Sequence, residues 1–311
     1  MKLSIVTTLY KSSPYIEEFY ARISREAEKI TDDYELIFVN DGSPDNSFEL
    51  IFDLYQKDKH INIVNLSRNF GHHKAIMAGL NNTSGEYIFL IDSDLEEAPE
   101  LLSQFWSELA LEKDVDVIYG IQEKRKGSFF EKWSGKLFYA ILNKLIDDIE
   151  YPTDTLTSRL MTKRYIEQVI QYKETEYDLW SIFEFTGYKT KSLVCKKGYK
   201  KSTTYTFAKK IDMAMHIIVS TSKKPLQLIF YLGMLISGAS LFYLIYLLVT
   251  HFIFNIPAGW TSVAVLLTFI LGIVIFSIGV LGIYISIIFL ESKQRPVIIK
   301  DIYSRSKNEQ K

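Results

Sequence analysis

Residues 226–290 form a long segment that contains no Lys, Arg, Asp or Glu, and it divides into two apolar stretches, 226–254 and 263–290. A transmembrane helix needs about 20 consecutive apolar residues, so each stretch is long enough to cross a bilayer with some tilt. Two buried helices of a soluble protein are the alternative, but neither stretch has the polar face that such helices show. We therefore expect two transmembrane helices.

The charges around this segment indicate its orientation. No Lys or Arg lies in the turn between the two apolar stretches, whereas Lys223 and Lys224 precede the first stretch. The second stretch is followed by Lys293, Arg295, Lys300, Arg305 and Lys307. Because loops rich in Lys and Arg stay in the cytoplasm, we expect a multi-pass protein of the inner (plasma) membrane, with both termini inside the cell. The single cysteine, Cys195, fits such a reducing compartment.

The residues before position 226 mix charged and apolar side chains, as a soluble domain does. Short runs rich in β-branched and aromatic residues alternate with amphipathic segments, and these runs are residues 3–9, 34–40, 61–66, 87–91 and 115–120. Strands that alternate with helices form a parallel sheet with helices on both faces. We therefore expect an α/β domain with a mostly parallel, Rossmann-like sheet.

The fourth of these runs ends in two carboxylates, Asp92 and Asp94, which are separated by Ser93. In an open parallel sheet, ligands bind beyond the carboxyl ends of the strands. Two hard oxygen ligands at such a place suit Mg²⁺ or Mn²⁺, ions that keep waters and bind a diphosphate. A polar turn after a strand would show the same pattern, so the other strand ends must decide between these interpretations.

Polar residues also follow the first three runs, at positions 7–10, 41–43 and 68–74. Because parallel strands present their carboxyl ends at one edge of the sheet, we expect these residues to share a crevice with Asp92 and Asp94. For His72 and His73 we favour solvated loop positions over a role in this crevice. Four polar strand ends at one edge predict a binding site.

The order of these motifs resembles that of a known family. Residues 4–10 read Ser-Ile-Val-Thr-Thr-Leu-Tyr, residues 39–43 Val-Asn-Asp-Gly-Ser, residues 65–71 Asn-Leu-Ser-Arg-Asn-Phe-Gly, and residues 92–95 Asp-Ser-Asp-Leu. This ordered set resembles the family-two glycosyltransferases of GT-A fold. Within them it is most similar to the polyprenyl-phosphate glycosyltransferases, the group of dolichyl-phosphate mannose synthase and the bactoprenol-phosphate glucosyltransferases. The resemblance covers essentially the whole chain, including the apolar segment.

The resemblance implies roles for the residues at the strand ends. Asp41 would contact the uracil or ribose of a nucleotide sugar, and Asp92 and Asp94 would bind the metal ion and the diphosphate. The implied nucleotide-binding residues are Thr7, Leu9, Tyr10, Asp41, Arg68, Gly71, Lys74, Asp92 and Ser93. The implied cofactor is Mg²⁺ or Mn²⁺, which neutralises the charge that develops on a departing nucleoside diphosphate.

One motif departs from the family pattern. Where the family has an aspartate proposed as the base that activates the acceptor, this chain has Thr157, which cannot act as a simple base at neutral pH. Either a carboxylate of Asp154, Glu176 or Asp178 takes over, or the acceptor needs little deprotonation. A phosphate acceptor favours the second explanation, because a phosphomonoester is largely dianionic at neutral pH.

An acceptor phosphate needs cationic and polar partners. The guanidinium of Arg159 suits bidentate phosphate binding, although an ordinary structural ion pair is the alternative. The predicted acceptor-phosphate residues are Arg159, Lys201, Tyr205, Lys124 and Arg125, and the predicted catalytic residues are Asp94, Arg159 and Asp154. For Lys124 and Arg125, a solvated basic loop is an equal alternative to contact with lipid phosphates.

These inferences give an ordered set of domains: a GT-A glycosyltransferase domain (1–200), an amphipathic juxtamembrane region (201–225), two transmembrane helices (226–290) and a cytoplasmic tail (291–311). The leading hypothesis is inverting transfer of a sugar from a nucleotide sugar, such as a UDP-sugar, to polyprenyl (undecaprenyl) phosphate at the cytoplasmic face. The alternatives are a transferase that extends a cell-surface glycan and a non-catalytic membrane scaffold. Besides these two substrates we expect a lipid bilayer as partner and no nucleic acid. The resemblance also allows a homo-oligomer, a tetramer.

Overall fold

The computed structural model describes residues 1–112, 114–123, 154–172, 178–196, 198, 224–254, 259–293 and 295–304. These residues belong to two compact units. The first unit contains all the described strands and the shorter helices, and the second contains two long helices. All four polar strand ends lie in the first unit.

The described part of the first unit is built on an eight-stranded sheet of order β7-β5-β6-β4-β1-β2-β3-β8. The strands are β1 (Leu3–Leu9), β2 (Tyr34–Asn40), β3 (Ile61–Leu66), β4 (Tyr87–Leu90), β5 (Val117–Gln122), β6 (Thr155–Thr162), β7 (Thr190–Cys195) and β8 (Ile299–Tyr303). β1 pairs in parallel with β2 and β4, and β2 pairs in parallel with β3. The carboxyl ends of these four strands therefore lie side by side. β6 is antiparallel to β4 and β5, β7 is parallel to β5, and β8 is antiparallel to β3.

Helices cover both faces of the sheet. They are α1 (Ile16–Glu28), α2 (Ser47–Lys57), α3 (His72–Leu80), α4 (Leu101–Leu111), α5 (Lys163–Val169) and α6 (Leu179–Phe185). Successive strand residues face opposite sides, so Phe38 packs in the cluster that includes α1, α2 and α4, while Val39 packs with α3, α5 and α6. Burial on both faces is typical of a parallel sheet, and the mostly parallel α/β fold is confirmed.

The first four strands occupy the predicted runs almost residue for residue, and β5 begins two residues later than predicted. β6, β7 and β8 were not predicted as strands. The last of these changes the predicted domain order, because Ile299–Tyr303 lies within the segment expected to be a cytoplasmic tail. Instead of forming a tail, these residues pair with β3, and the ring of Tyr303 packs against those of Phe48, Phe52 and Tyr55 at 5.3 to 6.1 Å between centroids.

The second unit contains α7 (Lys224–Phe254) and α8 (Trp260–Lys293). Among the described residues, one helical segment is long and apolar enough to cross a membrane: Phe269–Lys293, of 25 residues, none of which is buried. Helix α7 holds a shorter apolar segment, Lys224–Ile236, so membrane crossing by the first predicted span stays a prediction. The juxtamembrane residues 201–223 lie outside the described part of the chain.

Candidate functional site

The four strand ends are joined to one another by hydrogen bonds. The hydroxyl of Ser93, between the two aspartates, donates to the Thr8 carbonyl at 3.0 Å and lies 3.2 Å from the Ser12 hydroxyl. The Asp41 amide donates to the Leu9 carbonyl at 3.0 Å. Ser93 is buried, and its hydroxyl fastens the Asp-Ser-Asp turn to the end of β1. Its side chain therefore has a structural partner where the resemblance implied a nucleotide contact.

Asp41 shapes the loop between β3 and α3. Its carboxylate oxygens accept hydrogen bonds from the amides of Phe70, at 2.7 Å, and Gly71, at 3.1 Å. Gly42 follows with φ of +58°, and a Cβ there would lie 2.4 Å from the Arg68 carbonyl carbon, so only glycine fits. Burial raises the pKa of Asp41, although the hydrogen bonds from the two amides and the nearby positive charge of Arg68 oppose this rise.

The other predicted nucleotide-binding residues differ in their access to solvent. Leu9 is fully buried in the core, which leaves its side chain no room to contact a nucleotide. Thr7 is also buried, and its hydroxyl has no hydrogen-bond partner in the part of the chain that is described. Tyr10 and Arg68 are exposed, with the guanidinium of Arg68 4.3 Å from the centre of the Phe70 ring, and Lys74 is half-buried in the first turn of α3.

Asp92 and Asp94 lie directly beyond β4 and are both partly exposed. The hydroxyl of Thr157, on β6, donates to Oδ2 of Asp92 at 2.7 Å. The other oxygen of Asp92, Oδ1, lies 3.5 Å from Nε2 of His72. Oδ1 of Asp94 accepts a hydrogen bond from the Glu96 amide at 3.1 Å. The first aspartate of the pair is thus linked to two other elements of the fold.

His72 and His73 are not loop residues as predicted, although His72 is exposed to solvent. They form the first turn of α3, and Nδ1 of His72 lies 3.2 Å from the Thr8 hydroxyl, opposite its contact with Asp92. Nδ1 of His73 accepts a hydrogen bond from the Leu179 amide at 3.3 Å, at the start of α6. Both rings lie at the strand edge because the short loop after β3 brings α3 directly over it.

Sequence reasoning missed Glu97. This carboxylate is buried and accepts the amides of Thr157, at 3.0 Å, and Ser158, at 2.7 Å, one on each oxygen. Burial, together with the negative charge of Asp92, raises the pKa of Glu97 to about 7, against the opposing effect of the hydrogen bonds from Ser158 and Thr157. Glu97 therefore holds β6 beside the aspartate pair. Its position three residues after Asp94 was the only signal in the sequence.

Arg159 lies on the same face of β6 as Thr157, because side chains two residues apart in a strand point the same way. It is buried, and its guanidinium stacks 3.9 Å from the centre of the Phe183 ring and 4.5 Å from that of Trp180. Its Nε has no hydrogen-bond partner among the described residues. Burial lowers the pKa of Arg159 to about 10, with Tyr165, Glu184, Glu97 and Tyr119 opposing.

The three carboxylates considered as alternative bases, Asp154, Glu176 and Asp178, differ in their positions. Asp178 is buried and caps α6 by accepting the amide and the hydroxyl of Ser181, both at 3.0 Å. Asp154 precedes β6 with φ of +60°, and its carbonyl accepts the Gln122 amide. Glu176 and four predicted acceptor-side residues, Lys124, Arg125, Lys201 and Tyr205, lie outside the described residues.

Comparison with known proteins identifies the family. The model of glycosyl transferase family 2 matches residues 4–170. The chain belongs to this family. It is 42% identical to "Putative glycosyltransferases" of Mycobacterium tuberculosis (strain CDC 1551 / Oshkosh), over 97% of this chain and 89% of that protein. It is 29% identical to a "Prophage bactoprenol glucosyl transferase homolog" of Escherichia coli (strain K12), over 96% of this chain and 98% of that protein.

A solved structure supports the same fold. The glucosyl-3-phosphoglycerate synthase of Mycobacterium tuberculosis, crystallised with phosphoglyceric acid, superposes with a TM-score of 0.50, at 16% identity. The match covers 71% of this chain and 78% of that one. The protein is therefore a family 2 glycosyltransferase with a GT-A-like fold, and the family predicted from the motif order is confirmed.

For a family 2 glycosyltransferase, the aspartate pair fits a divalent cation by its donor chemistry. Asp92 and Asp94 offer hard carboxylate oxygens at the partly exposed edge of the sheet. No group of three or more His, Cys, Asp or Glu side chains that could hold a metal ion occurs among the described residues. Mg²⁺ is usually bound by one or two carboxylates together with waters and substrate phosphates, and a pair of carboxylates fits this kind of site.

Proposed function

We propose that this protein is a membrane-bound, inverting glycosyltransferase that moves a sugar from a nucleotide sugar to polyprenyl phosphate. The observation that carries the proposal is the extent of the match to the bactoprenol glucosyl transferase homolog. That match covers 96% of this chain, whereas the family model ends at residue 170. The shared sequence therefore includes the long apolar helices, as expected for an acceptor that is held in a membrane.

The second unit supports a membrane location. Large apolar side chains of α8 are exposed over much of their surface, for example Phe269 (64%), Ile275 (61%) and Phe276 (65%). An exposed apolar surface of this length is not stable in water and is expected to face lipid. We propose that α7 and α8 both cross the plasma membrane, with the glycosyltransferase unit and both termini in the cytoplasm, where the basic flanking residues belong.

On the donor side, Asp92 and Asp94 would hold Mg²⁺ or Mn²⁺ against the diphosphate of the nucleotide sugar. The ion would supply a Lewis acid that neutralises negative charge on the leaving diphosphate. We place the nucleotide at the edge formed by the loop after β3, whose backbone Asp41 holds in position. Exposed Arg68 and Tyr10 are the side chains best placed to contact the nucleoside.

On the acceptor side, the lipid phosphate would act as its own nucleophile. One phosphate oxygen forms a bond to the anomeric carbon, the bond from that carbon to the diphosphate oxygen breaks, and the nucleoside diphosphate leaves with the electron pair. No proton needs to be removed, because the phosphate is largely dianionic at neutral pH. Asp178 is occupied as a helix cap, which favours this route over a relocated base at that residue. Arg159, whose Nε has no partner in the described part of the chain, would orient the phosphate.

The proposal is tested with the full chain in detergent or nanodiscs, undecaprenyl phosphate and a panel of radiolabelled UDP- and GDP-sugars. We expect one donor to give a lipid-linked monosaccharide and one equivalent of nucleoside diphosphate. Asp94→Asn in the same preparation is the control for background hydrolysis. Transfer only to an oligosaccharide acceptor would favour a glycan-extending transferase, and no turnover of any donor would favour a membrane scaffold.

A further inference from the structure

At position 157 the resemblance to the family implies an acceptor-side aspartate, whereas this chain has Thr157, whose side chain contacts Asp92 instead. Its hydroxyl donates a hydrogen bond of 2.7 Å to Oδ2 of Asp92. A hydroxyl that donates to a carboxylate does not act as a base toward an acceptor. The contact therefore gives this threonine a partner within the metal-binding pair.

The backbone of Thr157 is fixed by a second carboxylate. Glu97 accepts the amide of Thr157 on one oxygen and the amide of Ser158 on the other. Two residues further on, Arg159 is registered opposite Leu90, near the end of β4 and two residues before Asp92. Because both the amide and the strand register are fixed, the hydroxyl of Thr157 has a defined position from which to hold Asp92.

The charges around position 157 favour a hydroxyl over a carboxylate. Asp92 and Glu97 already place two acidic groups beside this residue, and the negative charge of Asp92 raises the pKa of Glu97. An aspartate at position 157 would add a third negative group against them, and like charges at such distances repel. A threonine instead donates to one oxygen of Asp92, while Nε2 of His72 lies 3.5 Å from the other oxygen.

From these contacts we propose that Thr157 is a positioning residue that holds Asp92 in the orientation needed to bind the divalent cation and diphosphate. This inference rests on the proposed metal-binding function of Asp92 and Asp94. It assigns the departure from the family pattern to the donor side of the reaction. Loss of the hydroxyl should free the Asp92 side chain to rotate, weakening cation binding while leaving the use of the acceptor unchanged.

The test compares Thr157→Val, which keeps the shape and removes the hydroxyl, with Thr157→Ser, which keeps the hydroxyl. Mn²⁺ binding to the full chain is measured by electron paramagnetic resonance of free Mn²⁺, with UDP and with GDP present in turn. We expect Thr157→Val to weaken Mn²⁺ binding about tenfold, since a hydrogen bond to a charged group is lost. Thr157→Ser should stay within about twofold of the parent, and the KM for undecaprenyl phosphate should not change in either variant.

The outcomes separate this inference from the function on which it rests. If the parent binds Mn²⁺, Asp94→Asn does not, and Thr157→Val binds as the parent does, the positioning role is refuted while the metal site stands. If the parent and Asp94→Asn are alike, the metal role fails and the inference fails with it. Should Thr157→Val not fold, Thr157→Ala removes the same hydroxyl without adding bulk, and it must show the same weakening.

Discussion

A glutamate is buried near each end of the central sheet, and the two glutamates differ in their hydrogen bonds and in the charges beside them. At the amino-terminal end, Glu35 accepts four hydrogen bonds of 2.6 to 2.8 Å, from the Ser4 hydroxyl, the Asn62 amide group, and the backbone amide and hydroxyl of Ser84. At the carboxyl-terminal end, Glu97 accepts two backbone amides and lies beside the charge of Asp92. Hydrogen-bond donors of the fold occupy both carboxylate oxygens of Glu35, whereas Glu97 lies next to Asp92 in the candidate site.

The same contrast extends to the unpartnered polar atoms. Five buried side-chain atoms of the described residues lack a hydrogen-bond partner: Thr7 Oγ1, Ser24 Oγ, Thr155 Oγ1, Ser158 Oγ and Arg159 Nε. All but Ser24 lie on β1 or at the start of β6, toward the carboxyl-terminal end. Unpartnered buried groups destabilise a fold, so their concentration at one end needs a functional reason. In the proposed function the lipid phosphate is the partner of Arg159 Nε, and the substitution of Arg159 below tests that assignment.

The largest effect is expected at Asp94. Asp94→Asn should reduce transfer about a thousandfold or more, because metal-assisted charge stabilisation contributes several kcal/mol to the transition state. The variant should remain folded and membrane-bound, since the residue is partly exposed. Turnover with undecaprenyl phosphate and the apparent melting temperature are measured together. Activity that survives both this substitution and the addition of EDTA would contradict a metal-binding role for Asp94.

Arg159 should give the next largest effect. Arg159→Ala removes a buried cation. We expect kcat/KM for the lipid phosphate to fall, corresponding to a loss of about 2 to 4 kcal/mol of transition-state stabilisation, while nucleotide binding changes little. Arg159→Met keeps the apolar length against Phe183 and separates the loss of charge from the loss of packing. Kinetics with a short-chain polyprenyl phosphate give the first quantity, and titration with nucleotide gives the second.

Arg164, in the first turn of α5 directly after β6, is the matched control at the other end of the sheet. It is exposed, and its Nη2 donates to Oδ2 of Asp116 at 2.8 Å. Asp116 is buried, so Arg164→Ala should cost some stability. Because this pair lies at the end of the sheet away from Asp92, the variant should leave both kinetic constants within about twofold, and the comparison is made per folded molecule. If Arg164→Ala is as damaging as Arg159→Ala, or if Arg159→Ala has no effect, the acceptor role of Arg159 is rejected.

The same substitution, glutamate to glutamine, can be made at Glu35 and at Glu97, one at each end of the sheet. Glu35→Gln replaces a charged acceptor of four hydrogen bonds by a neutral amide, and it should lower the free energy of unfolding by about 1 to 3 kcal/mol without changing kcat. Glu97→Gln should also destabilise, but in addition it should lower kcat, because it displaces the strand that carries Thr157. Melting temperature and kcat per folded molecule are compared. Equal losses of kcat in both variants would show that the two ends do not differ.

The sequence was sufficient for the half of the sheet that follows local rules. β1 to β4 are apolar runs bounded by turns, and each is followed by a helix, so periodicity alone defines them. β6 was missed as a strand because Thr157 and Arg159 face the site, which replaces the apolar residues that a strand would otherwise show on that face. β8 was missed because its partner, β3, is more than two hundred residues away in the chain, and no local pattern encodes such a pairing.

The site was predictable by residue type but not by contact. The motif order places Asp41 and Asp92 at one edge of the sheet, and both lie there. The sequence gives no sign that Asp41 holds a loop or that Thr157 donates to Asp92, because these bonds depend on side-chain direction in three dimensions. Glu97 was missed for the same reason, since an isolated glutamate is usually exposed.

The smallest effect on activity is expected from cysteines placed to report the side of the membrane. β8 belongs to the same sheet as the site, so an accessible cysteine at exposed Lys300 reports the compartment of both sheet ends. Lys300→Cys should react with a membrane-impermeant maleimide only after the cell is opened. Asn255→Cys, between the two long helices and outside the described residues, should react in intact cells. Native Cys195 gives little background, because burial, together with the charge of Glu97, raises its thiol pKa to about 11. Labelling of Lys300→Cys in intact cells would place both sheet ends outside the cytoplasm, where nucleotide sugars are absent, and would contradict the proposed reaction.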